Sequence, residues 1–311
     1  MKKVLLDFDI GTEIDDAIAL AYLLANPECD LVGITTSCGE SIKRAEMASV
    51  LCRAAGKKDP IHAGCERPLL IPQMETTAPQ AAILPHYEHD TGFAPNTAIP
   101  FMQKVIRENP GEVTLLAVAP MTNLGLLFAM DPELPELLDG LYLLCGSPTH
   151  QRHDVVTESL SAMERDDFIR VLASQGILEN NSIVDPHATS IVYRARCRNF
   201  VNIGNNVSSR VVMTPEEAER RFRHPIMQVV MSIAREWFKD EPRVSFHDPL
   251  AAVCIFNDDV CSYKRGYMDC VLDSRLLGGM TIFREDPAGP HQVAWDVDGD
   301  KFFEHLFEVF A

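Results

Sequence analysis

One stretch constrains this chain more than any other: residues 3 to 26, KVLLDFDIGTEIDDAIALAYLLAN. Val4, Leu5 and Leu6 form a short apolar run of the buried-strand kind that ends in Asp7, Phe8 and Asp9. Gly11 is free to take a positive φ in the turn that follows. Asp15 and Asp16 then open an apolar run, Ala17 to Ala25, that predicts a helix stopped near Asn26-Pro27. Four aspartates therefore fall within ten residues where a strand hands over to a helix. Capping and the helix dipole account for one of the acids at the helix start, but not for its neighbour or for Asp7 and Asp9. Alternation along a strand puts Asp7 and Asp9 on one side. Crowded carboxylates repel unless a cation or protons neutralise them. Hard oxygen donors suit Ca²⁺ or Mg²⁺ rather than zinc. The plainer alternative is a structural cap with solvated neighbours.

The chain beyond repeats the strand-then-helix theme. A strand is predicted over 30–36, a helix over 41–55 closed by Gly56, and a short strand over 61–64. This order implies a parallel sheet with right-handed crossovers, in which ligands bind outside the carboxyl ends of the strands. The Asp7/Asp9 turn and the run Thr35 to Glu40 both lie at that edge. Residues 66–97 form a long loop rich in Pro, Thr and His, which predicts either a lid or a disordered segment. A helix over 98–109, an unbroken apolar strand over 113–119, a helix over 124–130 and a strand over 141–145 follow. The run 146–158 is polar and irregular, 164–174 reads as a helix, and 175–199 has no clear period. Arg194, Arg196 and Arg198 in that last run read as a solvated edge. Later come a strand over 200–203, helices over 215–223 and 225–239 with N-terminal prolines, and a helix over 250–256 after His247-Asp248-Pro249. Alternation over 267–272, 280–284 and 292–297 suggests an antiparallel edge, and a final helix covers 301–310. The expected fold is thus α/β: an open, mostly parallel central sheet flanked by helices, with an antiparallel edge and a small helical subregion. No repeat or break in composition divides it, so one domain spans 1–311.

Bulk properties narrow the function. Hydrophobic residues make up 46%, enough for a full core. A net charge of −17, from 28 basic and 45 acidic residues, speaks against nucleic acid as a partner. No signal peptide is evident at Met1-Lys2-Lys3, and no apolar run approaches the ~20 residues a membrane helix needs. Nine cysteines without a CxxC pair read as reduced, mostly buried thiols, and imply a cytoplasmic protein.

Asp7-x-Asp9-x-Gly11 followed by Asp15-Asp16, the strand Ile34-Thr35-Thr36 and the distant His247-Asp248-Pro249 together resemble the inosine–uridine-preferring nucleoside hydrolases. Gly64 to Leu69, His89 to Gly92, Thr122-Asn123 and Gly146 extend the match over most of the chain. The resemblance implies the fold described above and Ca²⁺-dependent cleavage of the N-glycosidic bond of a ribonucleoside or related N-riboside, a step of purine and pyrimidine salvage. It implies Asp9, Asp16, Asp248 and the backbone carbonyl of Val118 as metal ligands, with Asp9 also the general base. Asp15 would hold a ribose hydroxyl and Asp7 would support the ligands from behind. Glu158 would lie near the sugar, Asn123 at the substrate, His247 beside the leaving base and His89 in the base-side loop. Assembly as a homodimer or homotetramer is implied in the same way.

The chain also departs from the family pattern. Two further residues lengthen the turn between Gly11 and the acid pair. Glu40 stands where the family has Asn, and Arg152 falls where another Asn is expected near the 5′ end of the ribose. The family's Glu-x-Asn reads here as Glu158-Ser159-Leu160, without the amide. Glu40 and Arg152 could compensate one another in the pocket, or Arg152 could bind a 5′-phosphate. Lost amides leave open a silent, nucleoside-binding pseudo-hydrolase. A phosphatase of the haloacid-dehalogenase type, with Asp7 as nucleophile and Asp258-Asp259 as the late acidic pair, is the third reading, though it leaves Asp15-Asp16 and His247-Asp248-Pro249 unexplained.

Overall fold

A computed structural model describes residues 1–148, 178–239, 241–274 and 276–311. The helix expected over 164–174 lies outside them. β1 (Lys2–Phe8), β2 (Cys29–Thr36), β3 (Ile61–Ala63), β4 (Val113–Ala117), β5 (Gly140–Leu144) and β6 (Phe200–Ile203) pair in parallel wherever they are neighbours. Between the first of these lie α1 (Asp15–Ala25), α2 (Ser41–Ala54), α3 (Ala98–Glu108) and α4 (Thr122–Met130). Side chains of β1 alternate between two cores: Val4, Leu6 and Phe8 pack on one side of the sheet with α1, and Leu5 on the other with α3 and α4 residues such as Met102 and Leu124. A strand covered on both faces reads as an unbroken apolar run, which is why β1 and β4 are legible in the sequence.

The antiparallel edge is present with one refinement. β9 (Cys261–Cys270) pairs antiparallel with both β10 (Thr281–Glu285) and β11 (His291–Val297), while β11 also joins β6 in parallel. Among the described residues the sheet therefore has nine strands, in the order β10-β9-β11-β6-β5-β4-β1-β2-β3. A separate two-stranded ribbon, β7 (Val212–Met213) with β8 (Val244–Ser245), lies beside it.

The aperiodic run 175–199 contains two helices, α5 (Asn180–Val184) and α6 (Pro186–Tyr193). Glu179 accepts the N–H groups of Asn181 and Ser182 at the start of the first, and Asp185 accepts that of Ala188 at the start of the second. Each is too short for an apolar period to develop, so caps alone betray them. The helical subregion comprises α7 (Asn205–Ser208), α8 (Pro215–Arg221), α9 (Pro225–Trp237) and α10 (His247–Cys254), and α11 (Gly299–Glu308) ends the fold. The loop 66–97 carries a 3₁₀ turn over Pro79–His86 and is tied down along its length. Leu69 N–H donates to Asp185 (2.9 Å), Gln80 N–H to the Gly11 carbonyl (3.0 Å) and Tyr87 Oη to Ser232 (2.6 Å). Among the described residues no helix is long and apolar enough to cross a membrane.

His291 fastens the antiparallel edge to the parallel core. It is buried, its Nδ1 accepts the Met268 N–H of β9 (2.8 Å), and its Nε2–H donates to the Tyr193 carbonyl at the end of α6 (3.0 Å). Burial lowers its pKa from 6.5 to about 4. The folded chain then binds fewer protons than the unfolded chain between those values, so this group's contribution is complete above pH 6.5 and is lost as pH falls toward 4. The span corresponds to roughly 3 kcal/mol. Urea unfolding across that window should show a shallower pH dependence in His291→Gln than in the parent chain. An unchanged slope would mean that the ring is not held neutral.

Candidate active site

A cavity of about 290 Å³ opens at the carboxyl ends of the parallel strands. Asp9 enters it just beyond β1, Val118 just beyond β4, Leu144 at the end of β5 and Asn205 just beyond β6. The turn after β1 is tight: Gly11 has φ +121°, and a Cβ there would stand 3.0 Å from both Met47 Sδ and Ala78 Cβ. That turn delivers Asp15 and Asp16 to the first turn of α1 and into the same cavity, while α10 presents His247 and Asp248 from the far side.

The acids meet at close quarters. Carboxylate oxygens of Asp15, Asp16 and Asp248 lie within 4.8 Å of one another, and so do ligand atoms of Asp9, Glu75 and Cys38. The Asp9 N–H donates to Asp16 (3.1 Å) and the Asp248 N–H to Asp15 (3.3 Å), which locks the two groups together. Among the described residues seven carboxylates line the cavity: Asp9, Glu13, Asp15, Asp16, Glu75, Glu179 and Asp248. Burial, then mutual repulsion, pushes the pKa values of Glu13, Asp16 and Asp248 well above the usual carboxylate range. Asp9 and Asp15 are also raised, chiefly by burial, with Arg44 opposing the shift at Asp9 and His247 opposing it at Asp15. Such a set is stable only with protons or a cation among them, and hard carboxylate oxygens with a nearby carbonyl fit a Ca²⁺- or Mg²⁺-type ion. The Cys38 thiol is raised by burial and stays neutral, so it offers little to a hard ion.

Asp7 supports the site from beneath. Its Oδ1 accepts from Thr35 Oγ1 (2.6 Å) and Asn123 Nδ2 (2.7 Å), and its Oδ2 is buried without a partner. Burial raises its pKa to about 7, against the pull of those two hydrogen bonds. Asn123, expected at the substrate, is fully buried instead: besides Asp7 it donates to the Thr36 carbonyl (3.1 Å), and its Oδ1 accepts the Cys65 N–H (2.9 Å). Gly64 makes room for it, since a Cβ there would stand 2.4 Å from Asn123 Oδ1.

Two other expected substrate contacts are placed elsewhere. Glu40 turns away from the cavity, pairing with Lys43 (2.5 Å) and accepting the Ala78 N–H (2.9 Å), because its φ of +59° at the start of α2 directs the side chain along the loop 66–97. His89 is half-buried with Nδ1 against the Tyr87 carbonyl (2.8 Å), outside the lining, beside Arg53 and its partners Glu88 and Asp90. Arg152 and Glu158 lie outside the described residues. His247 lines the cavity, its Nδ1 paired with Ser208 Oγ (2.8 Å) and its pKa lowered by burial against the pull of Asp15. Among the described residues no lysine lines the cavity, and Asp259 pairs with Lys301 and His305 at the surface, which removes the basis of the phosphatase reading.

Several residues were missed by sequence reasoning. A Glu-x-Asn triplet, Glu179-Asn180-Asn181, lines the cavity, so amides are present after all. Glu179 is held by the N–H groups of Gly146 (2.7 Å), Asn181 (2.8 Å) and Ser182 (3.1 Å). Asn181 Nδ2 donates to the carbonyls of Val118 (2.9 Å) and Leu144 (3.0 Å). Two acid caps six residues apart, with Pro186 after the second, were the available signal. Glu75 reaches in from the long loop, where Asn180 Nδ2 meets it at 2.5 Å. The other omission is Arg44, buried under the turn. Its guanidinium donates to the carbonyls of Asp9, Ile10 (3.1 Å) and Thr77 (3.3 Å), to the Gly39 carbonyl (2.8 Å) and to Thr12 Oγ1 (3.0 Å).

The profile of the inosine-uridine preferring nucleoside hydrolases matches residues 4–304. This chain belongs to that family. It is an N-glycosyl hydrolase. It is 26% identical to the inosine-uridine preferring nucleoside hydrolase of Crithidia fasciculata, over 97% of this chain and 95% of that one. It is 23% identical to uridine nucleosidase 1 of Arabidopsis thaliana, over 98% and 92%. Among solved structures, the inosine-uridine preferring nucleoside hydrolase of Bacillus anthracis superposes with a TM-score of 0.78 at 18% identity, over 99% of each chain. The fold expected from the sequence is thus the fold of this hydrolase family.

Replacing Arg44 by Met should destabilise the hydrolase by about 3 kcal/mol or more, since several buried acceptors lose their donor together. Arg44→Lys keeps the charge but cannot span five acceptors, and should fall between the two in urea unfolding. A lysine variant as stable as the parent would assign Arg44 a purely electrostatic part.

Proposed function

We propose that this hydrolase cleaves the N-glycosidic bond of a neutral ribonucleoside or related N-riboside, with Ca²⁺ held by Asp9, Asp16, Asp248 and the Val118 carbonyl. The convergence of Asp248 with Asp15 and Asp16, more than 200 residues away in the chain, carries this reading. Bound there, a divalent cation supplies acidity to a water molecule and a grip on the sugar diol. Asp9, which lines the cavity, accepts the proton from the attacking water. Asp15 accepts a hydrogen bond from a ribose hydroxyl, and Glu179 with Asn181 bounds the sugar on the opposite wall. Charge develops on the sugar ring as the bond to the base breaks, and the surrounding carboxylates stabilise it. The Ser208 contact occupies His247 Nδ1 and leaves Nε2 to protonate the departing base. The amides of Asn180, Asn181 and Asn205 favour turnover over silent binding. The acid-rich lining favours nucleosides over their 5′-monophosphates, against the phosphate role considered for Arg152. Action of the whole chain as one domain and assembly as a homodimer or homotetramer complete the proposal.

Release of ribose from uridine and inosine, followed against their 5′-monophosphates, tests it. Nucleosides should be the better substrates, Asp9→Asn should lower kcat by about 10²–10⁴ and chelation should abolish turnover until Ca²⁺ is restored. Full activity in Asp9→Asn, or after exhaustive chelation, would overturn the assignment. His247→Ala should slow inosine more than an activated p-nitrophenyl riboside, whose leaving group needs no proton.

A further inference from the structure

A second cavity, of about 870 Å³, lies between the loop that leads into β6 and the β9–β10 hairpin, on residues the hydrolytic reading does not use. Residues 195–197 have neither helical nor strand structure, and the alternate positions Arg194, Arg196 and Arg198 all line this cavity. These three arginines are exposed and, among the described residues, make no side-chain hydrogen bond or ion pair. Arg284 borders the same space, its guanidinium 4.4 Å from the centre of the Tyr267 ring. Glu136 and Asp269 are the acids of the lining, so basic groups outnumber them in a protein whose net charge is −17.

We propose that this cavity binds a small phosphomonoester with a ring-shaped body, of the nucleoside 5′-monophosphate class. Guanidinium groups present paired N–H donors that match phosphate oxygens, and unpaired ones have that capacity free. The volume is that of a small-molecule site and exceeds the needs of a lone phosphate. Exposed Tyr267 and Ile282 supply apolar wall for the body of the ligand. The overall negative charge repels a long polyanion but acts weakly beyond a Debye length on a compact one. The seven carboxylates that the described residues give the first cavity disfavour the same anion, so the two sites take ligands of opposite preference.

Titration calorimetry with adenosine 5′-monophosphate on the full chain tests this. Saturable binding is expected, weakened at least about tenfold in Arg196→Ala/Arg198→Ala and unchanged in Arg223→Ala, an exposed arginine outside the cavity. Thermal unfolding should show both variants folded, since the replaced side chains are exposed. Inorganic phosphate should bind at least about tenfold more weakly than the nucleotide. Absence of saturable binding, or equal affinity in the double variant, overturns the site. Phosphate binding as tightly as the nucleotide overturns the role of the ring body. Tighter binding of hexaglutamate would assign the arginines to an acidic peptide and overturn the small-molecule reading.

Discussion

A buried guanidinium holds together the end of this molecule that carries the acidic cavity. Arg44 rises from α2 into the space under the turn after β1 and donates to backbone acceptors from three separate loops, at 9–10, 39 and 77. No single strand or helix fixes those loops relative to one another. One planar, permanently charged group with several fixed donors can do so, and a lysine cannot match it. The same charge opposes the rise of the Asp9 pKa.

Around this anchor the acids are arranged by depth. Asp7 is deepest, its one bonded oxygen shared by Thr35 and Asn123, and among the described residues it is not part of the lining of the acidic cavity. Asp9, Asp15, Asp16 and Asp248 form the next layer, each tied to another by a backbone N–H. Glu13, Glu75 and Glu179 close the rim. Burying this many carboxylates costs free energy that the rest of the fold must offset, which is the usual signature of a site shaped for a ligand rather than for stability. The chemistry of a sugar oxocarbenium ion, a developing cation, suits such surroundings.

The fold was largely legible because its central strands are covered on both faces and its helices are long enough to show a period. The first acidic turn was legible for a similar reason: four aspartates in a local window cannot all be explained by capping. Legibility failed where function rests on short elements or on loops. Asn181 belongs to a five-residue helix that no periodic pattern could reveal, and Glu179 caps its start. Glu75 belongs to a loop whose path is set by contacts with Gly11, Ser232 and Asp185 rather than by its own sequence. Glu40 and Asn123 were placed in the pocket because they match positions of the family pattern. Side-chain direction, decided by a positive φ in one case and by the demands of Asp7 in the other, sent them elsewhere.

The sequence by itself determined the class of fold, the strand-to-helix turn that carries Asp9, Asp15 and Asp16, and the family whose chemistry that turn serves. Each of these is encoded locally, in the alternation of apolar residues and in the spacing of acids along a few consecutive turns. Tertiary structure alone decided that Glu179 and Asn181 at the start of α5, Glu75 from the long loop and Arg44 beneath join them, and it brought Asp248 and His247 of α10, which the sequence had assigned only through the family resemblance, to the same cavity. It also gathered Arg194, Arg196, Arg198 and Arg284 around a second cavity. Contacts between segments far apart in the chain arise only when the sheet is assembled and its strand ends align, and no spacing in the sequence records that alignment.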